Sequence, residues 1–376
     1  MRICSKLLSI KQKEGYTCFI TNEVEVRVWF LTDEIIRIRA GFDEEFAEES
    51  YSLMLTGWDD RLDSFWSEER TRIEPFLPLM QELEDSVILH GEKLDLVITK
   101  EPFQIAIYDK EGTLLHRDVA YMPYKEDSNR RRVHASEIFE GDHFYGFGEK
   151  TGNLNKYGKY MSMSPTDAFG YDPKETDSLY KHIPFYIRLN DISQKAVGYF
   201  YHNTYECDFD MGRRFSGYWG KYSAYRADGG DIDLFFIAGP TIKEVVKRYT
   251  DLTGKSAMLP KSALGYLGSS MYYSELPQDS DDAILEFVDT ARLEQIPISG
   301  YQLSSGYTAQ DTIEGSKRCV FTWNNLRFKE PKQFFAEMKN RGVVVSPNVK
   351  PGILLTHPRI EEFLAEVIFV KDSVTE

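Results

Sequence analysis

Among the close pairs of acidic residues, three stand beside predicted strands or helices: Asp231 with Asp233, Asp281-Asp282 and Glu361-Glu362. Two carboxyl groups with different proton affinities can divide general acid and general base work between them. Their contexts argue otherwise. Asp231 and Asp233 sit at alternate positions beside a strand, which predicts solvated side chains. Asp281-Asp282 open a helix, where carboxylates complement the dipole. Glu361-Glu362 lie on a short surface helix. Gly146-x-Gly148 has glycine spacing reminiscent of a nucleotide loop, but it lacks the third glycine and no helix pattern follows. It reads as a glycine-rich bend between strands. The seven histidines show no metal-ligand spacing. His134 and His143 stand in loop-like sequence and His182 precedes a strand, so structural or surface roles are expected, with no metal and no cofactor. Cys4, Cys18, Cys207 and Cys319 form no CxxC pair and read as reduced thiols.

Bulk properties narrow the partners. The formal net charge is −15, which disfavours a nucleic-acid backbone or an anionic membrane. The basic run Arg130-Arg131-Arg132 follows Glu126 and Asp127 and reads as a solvated loop. The N-terminus has no apolar stretch of signal-peptide length, and no run of about 18 apolar residues is present, so a cytoplasmic protein is expected. The aromatic share of 14% suits a β-rich core and also the stacking of sugar faces on rings.

The elements that would position functional groups fall into two sets. Residues 1–239 read as many short strands. Val24, Val26, Val28 and Phe30 alternate with charged or bulky neighbours, Thr32-Asp33-Glu34 turns the chain, and Ile36, Ile38 and Ala40 alternate on the way back, predicting a hairpin. A second hairpin joins 103–108 to 113–116, and further strands are predicted at 86–90, 94–99, 183–189, 196–201 and 232–238. This pattern predicts an antiparallel β-sandwich. A helix follows Thr241, with Ile242, Val245, Val246, Tyr249 and Leu252 on one face and Gly254 as its stop. Residues 255–260 read as a linker between domains at 1–254 and 255–376. Beyond it, strands at 263–268, 298–303 and 343–345 alternate with helices at 280–294, 331–341 and 357–366, and 367–370 reads as the start of another strand. Ser280 is the predicted cap of the first of these helices and Pro331 opens the second. Alternation of this kind predicts a parallel sheet whose ligand face is the strand C-terminal edge. A complete eight-stranded β/α barrel takes roughly 250 residues, and the pattern that starts at Lys261 is unfinished at Glu376.

Several separate segments share one resemblance. FYGFGEKTG at 144–152, PTDAFGYD at 165–172 and LYKHIPFYI at 179–187 resemble the N-terminal sandwich of glycoside hydrolase family 31. The stretch 239–266 is similar to that family's passage from sandwich to barrel. IPISGYQL at 296–303 and CVFTWNNLRF at 319–328 resemble its first barrel strands. The resemblance implies a galactose-mutarotase-like β-sandwich followed by about the first three strands of an incomplete (β/α)8 barrel. It also implies a retaining reaction on α-linked glycosides, by hydrolysis or transfer. Such a reaction uses two carboxyl groups about 5–5.5 Å apart. In the family both are aspartates on later barrel strands, so no catalytic residue is assigned and the chain alone is expected to be inactive. A second chain supplying the rest of the barrel, and a non-catalytic carbohydrate-binding or interaction module, are the alternatives.

The same resemblance places substrate contacts on the loops after the strands. These are Met271 and Tyr272 after the first, Ser304, Ser305 and Tyr307 after the second, and Lys350 after the third, with Ser269 and Asn348 beside them. Ser304-Ser305-Gly306-Tyr307 stands where many α-glucosidase members carry Asp-x-Asp-Tyr, and a hydroxyl is a weaker acceptor than a carboxylate. α-Galactoside and transglycosylation readings therefore stay open. Asp167, Phe169 and Tyr171 belong to a sandwich loop that in the family reaches the sugar. The expected partner is an α-linked oligosaccharide or glycoside.

Overall fold

The computed structural model describes residues 1–42, 46, 50–58, 69–120, 122–217, 220–366 and 368–370. The chain divides into two compact units, Met1–Lys255 and Ser256–Glu376.

The first unit is built from three antiparallel sheets of eight, six and five strands. Period-2 alternation explains the pairing. Glu25–Phe30 and Ile35–Gly41 form the predicted hairpin, with Val26 opposite Ala40 and Val28 opposite Ile38. Gln104–Asp109 and Leu114–Arg117 form the other. One apolar core joins all three sheets, with Phe19, Ile38 and Phe236 from the eight-stranded sheet meeting Leu96 and Ile107 of the five-stranded and Tyr225 of the six-stranded sheet. Burying each large apolar side chain contributes roughly 1.5–3 kcal/mol. A second cluster covers the other face of the large sheet. There Val245 and Leu252 of the helix Ile242–Thr253 pack on Phe185, Phe200, Phe235 and Ile237. Thr241 caps that helix in a reciprocal box with Glu244.

Burial and pairing overturn three sequence expectations. Asp231 and Asp233 are buried, not solvated. The Arg37 guanidinium grips Asp233 through Nε at 2.8 Å and Nη2 at 2.7 Å, and Arg39 Nε reaches Asp231 at 2.7 Å. The basic run 130–132 is also no simple solvated loop. Arg130 is exposed, but Arg131 pairs with Asp127 at 3.0 Å and Arg132 pairs with Glu126. His134 belongs to the strand Arg132–Glu137 and is fully buried, not in a loop. The 144–150 segment is largely strand. Asp142–Gly148 ends in a bulge at Gly146, where a Cβ would lie 2.7 Å from the Phe185 carbonyl oxygen.

The second unit holds three parallel strands in sequence order, Leu267–Ser269, Gly300–Leu303 and Val344–Pro347. The helices Ser280–Leu293 and Pro331–Asn340 cover one face, burying Ile284, Val288, Phe334 and Met338 against Tyr301 and Leu303. On the other face Leu267, Gln302, Val344 and Ser346 are exposed. The strand predicted over 263–268 starts later because Pro260 initiates a tight turn at Lys261–Leu264, in which Ala263 N–H donates to the Pro260 carbonyl. Ser280 is the first helical residue and not the cap. Asp279 holds the cap position in a left-handed conformation, and the Asp281 N–H is satisfied by the Arg327 carbonyl. Residue 367 lies outside the described residues, and 368–370 form no strand. No helix among the described residues is long and apolar enough to cross a membrane.

Candidate functional site

Parallel strands in register bring the loops that follow them to one edge, and here the loops are tied together. Met271–Ser274 forms a single helical turn directly after the first strand. The second strand runs into the turn Ser305–Thr308. Gly306 lets these two loops meet: a Cβ there would lie 2.7 Å from the Ser274 carbonyl oxygen and 2.4 Å from Glu275 Cγ. The Arg327 guanidinium donates to the Gly306 carbonyl at 2.7 Å. The Tyr307 hydroxyl donates to the Asn348 carbonyl at 3.0 Å, which joins the second loop to the third.

The side chains at this edge divide into braces and exposed groups. Tyr307 is a brace: its ring is buried and packs 4.7 Å from Trp323. Ser304 and Ser305 are half-buried, while Ser269, Asn348 and Lys350 are exposed. Met271 and Tyr272 are exposed, and Tyr272 meets Tyr273 edge-on at 5.3 Å. Two carboxylates are nearby in sequence. Glu275 pairs with Arg318, and Asp311 lies in a small hairpin of Ala309–Thr312 with Gly315–Arg318. That hairpin and the close approach at Gly306 carry no periodic signature and were not foreseen from the sequence.

Asp167, Phe169 and Tyr171 occupy an exposed loop of the first unit. Phe169 is 98% exposed. Asp167 accepts a hydrogen bond from the Tyr180 hydroxyl at 2.7 Å, and this bond raises the Tyr180 phenol above its usual range.

Two buried clusters in the first unit have chemically suggestive compositions. His116 Nε2 and His134 Nε2 each lie 2.9 Å from Asp118 Oδ1, and the three residues have the spacing of metal ligands. The other ring nitrogens pair with the Tyr199 and Tyr201 hydroxyls, and Asp118 Oδ2 accepts the Ile105 N–H, so each of these atoms already has a partner. Burial would raise the Asp118 carboxyl, but the hydrogen bonds from the two imidazoles bring it down to about 2. Burial lowers His116 below the usual imidazole range. Ser50, His202 and Asp233 form a hydrogen-bonded chain at 2.6 and 3.0 Å. It lacks the character of a nucleophilic triad, because Asp233 is held by Arg37 on both oxygens and Ser50 is buried. Burial would raise Asp233, yet the Arg37 and Arg39 guanidiniums hold it far below the carboxylate range. The four cysteines are free and buried; burial pushes Cys4 and Cys207 up to about 12, which leaves them poor nucleophiles.

A sandwich of antiparallel sheets followed by parallel strands with tied C-terminal loops defines a two-part β and β/α architecture, and comparison with known proteins gives its family. Residues 25–210 match the glycosyl hydrolase 31 N-terminal galactose mutarotase-like domain, and residues 256–376 match the glycosyl hydrolases family 31 TIM-barrel domain. The chain belongs to glycoside hydrolase family 31. It is 36% identical over 278 residues to alpha-glucosidase 2 of Bacillus thermoamyloliquefaciens, covering 73% of this chain and 32% of that protein. It is 34% identical over 214 residues to an alpha-glucosidase of Saccharolobus solfataricus, covering 56% of this chain and 28% of that protein. A Flavobacterium johnsoniae GH31 dextranase, solved with isomaltotriose, superposes with a TM-score of 0.81 at 25% identity, over 100% of this chain and 42% of that one. The chain thus spans about a third of the length of these two alpha-glucosidases.

Proposed function

We propose that this chain provides the sandwich and the opening barrel strands of a retaining α-glycosidase, with α-linked glucosides as its substrate class. The observation that carries this reading is the tied set of strand-end loops, which presents the hydroxyls of Ser304 and Ser305, the ring of Tyr272 and the amine of Lys350 at the edge where β/α barrels bind ligands. The names of the alpha-glucosidase relatives and the isomaltotriose in the dextranase complex favour glucosides.

On this reading the strand-end loops bind sugar and the bond-breaking carboxylates belong to later barrel strands, not to this chain. Retaining chemistry needs a nucleophile and an acid/base about 5–5.5 Å apart. Support comes from Glu275, the acid beside the first loop, which is paired with Arg318. Serines at 304 and 305 grip sugar hydroxyls more weakly than carboxylates do.

The test is covalent trapping. The full chain is incubated with a fluorinated α-glucosyl fluoride and its intact mass is measured. No glycosyl adduct is expected, while isomaltose shows saturable binding by NMR that Tyr272→Ala weakens several-fold. A stoichiometric adduct on this chain overturns the assignment of the nucleophile, and absence of any sugar binding overturns the assignment of the loops.

A further inference from the structure

A cavity of about 480 Å³ opens in the first unit beside the strand Tyr160–Met163. Its wall is basic, although the chain as a whole carries a net charge of −15. Two of its lysines are structural. Lys150 Nζ reaches Asp177 Oδ1 at 2.7 Å, and buried Lys156 donates to the Thr151 and Asn153 carbonyls at 2.7 and 2.6 Å. The other three cations, Lys159, Lys174 and Arg213, are exposed. Among the described residues no hydrogen bond or ion pair engages their charged groups. Of the carboxylates on the wall, Asp177 is taken by Lys150 and the Ser162 N–H and Glu175 stays exposed, while beside the wall Asp172 accepts the Lys174 N–H and Asp210 the Arg213 N–H.

Gathering like charges on a concave surface is unfavourable unless a counter-charge arrives, because low-dielectric walls focus the field. The field is visible at Lys156, which burial and the charges of Lys159 and Lys150 together hold below the usual ammonium range. We propose that this cavity binds a tetrahedral dianion, phosphate or a phosphate monoester, held by Lys159, Lys174 and Arg213. Arg213 supplies a planar fork suited to two anion oxygens, and the lysines act as point charges. The volume accommodates a monosaccharide bearing the phosphate as well as the free ion.

Calorimetric titration of the full chain with inorganic phosphate, glucose 6-phosphate and neutral glucose tests this. Both dianions bind saturably, glucose does not bind at this site, and added sodium chloride weakens the dianions. The double variant Lys174→Ala/Arg213→Ala raises their dissociation constants at least about tenfold, because each charge-assisted contact contributes substantially. Exposed lysines elsewhere serve as the control, and Lys11→Ala/Lys13→Ala leaves binding unchanged. Tighter binding of glucose 6-phosphate than of phosphate assigns a sugar-borne monoester, and equal binding assigns the free anion. Circular dichroism establishes that the variants keep the fold. Failure of both dianions to bind, or equal loss in the control variant, overturns the proposal.

Discussion

The two units treat their sheet faces in opposite ways. In the first, Ile35–Gly41 and Ile232–Ala238 are buried at every position. In the second, the parallel strands are covered by helices on one side only, and Leu267, Gln302 and Val344 are exposed on the other. The difference decides what polar residues can do. Between two covered faces a charge must be matched inside the protein, so Asp233 meets Arg37, and Asp118 serves two imidazoles. At the edge of a half-covered sheet, polar side chains remain available to a ligand.

Removing one partner of a covered pair is the most damaging change. Asp233→Ala leaves the Arg37 charge buried, and urea unfolding should show a loss of about 3–5 kcal/mol; a loss below about 1 kcal/mol breaks the contrast. Acid acts on the same unit through Asp118. Its carboxyl is held near pH 2 in the fold against about 3.8 for the free group, so the unfolded chain takes up the proton first as pH falls. Stability on the order of 2 kcal/mol, present above pH 4, is therefore lost as pH falls through about 2. His116 adds to the acid slope from about pH 6.5 downwards, because burial keeps its folded form neutral while the unfolded chain protonates. Asp118→Asn should flatten the limb below pH 4 in a stability–pH profile, and an unchanged limb contradicts this account.

Crowding the loop junction comes next. Gly306→Val drives side-chain atoms into the Ser274 carbonyl and should cost about 1–3 kcal/mol while separating the first two strand-end loops, read as a lower melting temperature and weaker isomaltose binding. Thr241→Ala removes a helix cap in the first unit and should cost about 1 kcal/mol in the same unfolding assay. Gln302→Ala, on the open face of the parallel sheet, should move stability by no more than about 0.5 kcal/mol.

Local pattern made much of the fold legible. Alternation at Val24–Phe30 and Ile36–Ala40 located a hairpin, and Pro331 with Phe334 and Met338 located a helix and its buried face. Coverage was not legible. The spacing of Asp231 and Asp233 is the same whether their side chains meet water or, as here, Arg37, Arg39 and His202. Their partners, Arg37 and Arg39, lie almost two hundred residues earlier in the chain. Similarly, sequence order placed Ser304, Tyr307 and Lys350 after strands, yet only three-dimensional packing separates Tyr307, which braces the neighbouring loop, from Tyr272, which is exposed. The basic cavity was not legible either, because Lys159, Lys174 and Arg213 form no run in the sequence.

Steady-state hydrolysis of nitrophenyl α-glucoside, α-galactoside and α-xyloside by the full chain, run beside isomaltotriose binding, tests the division of labour most directly. The account predicts saturable binding with no turnover above the uncatalysed rate. Sustained turnover of any of the three would contradict it.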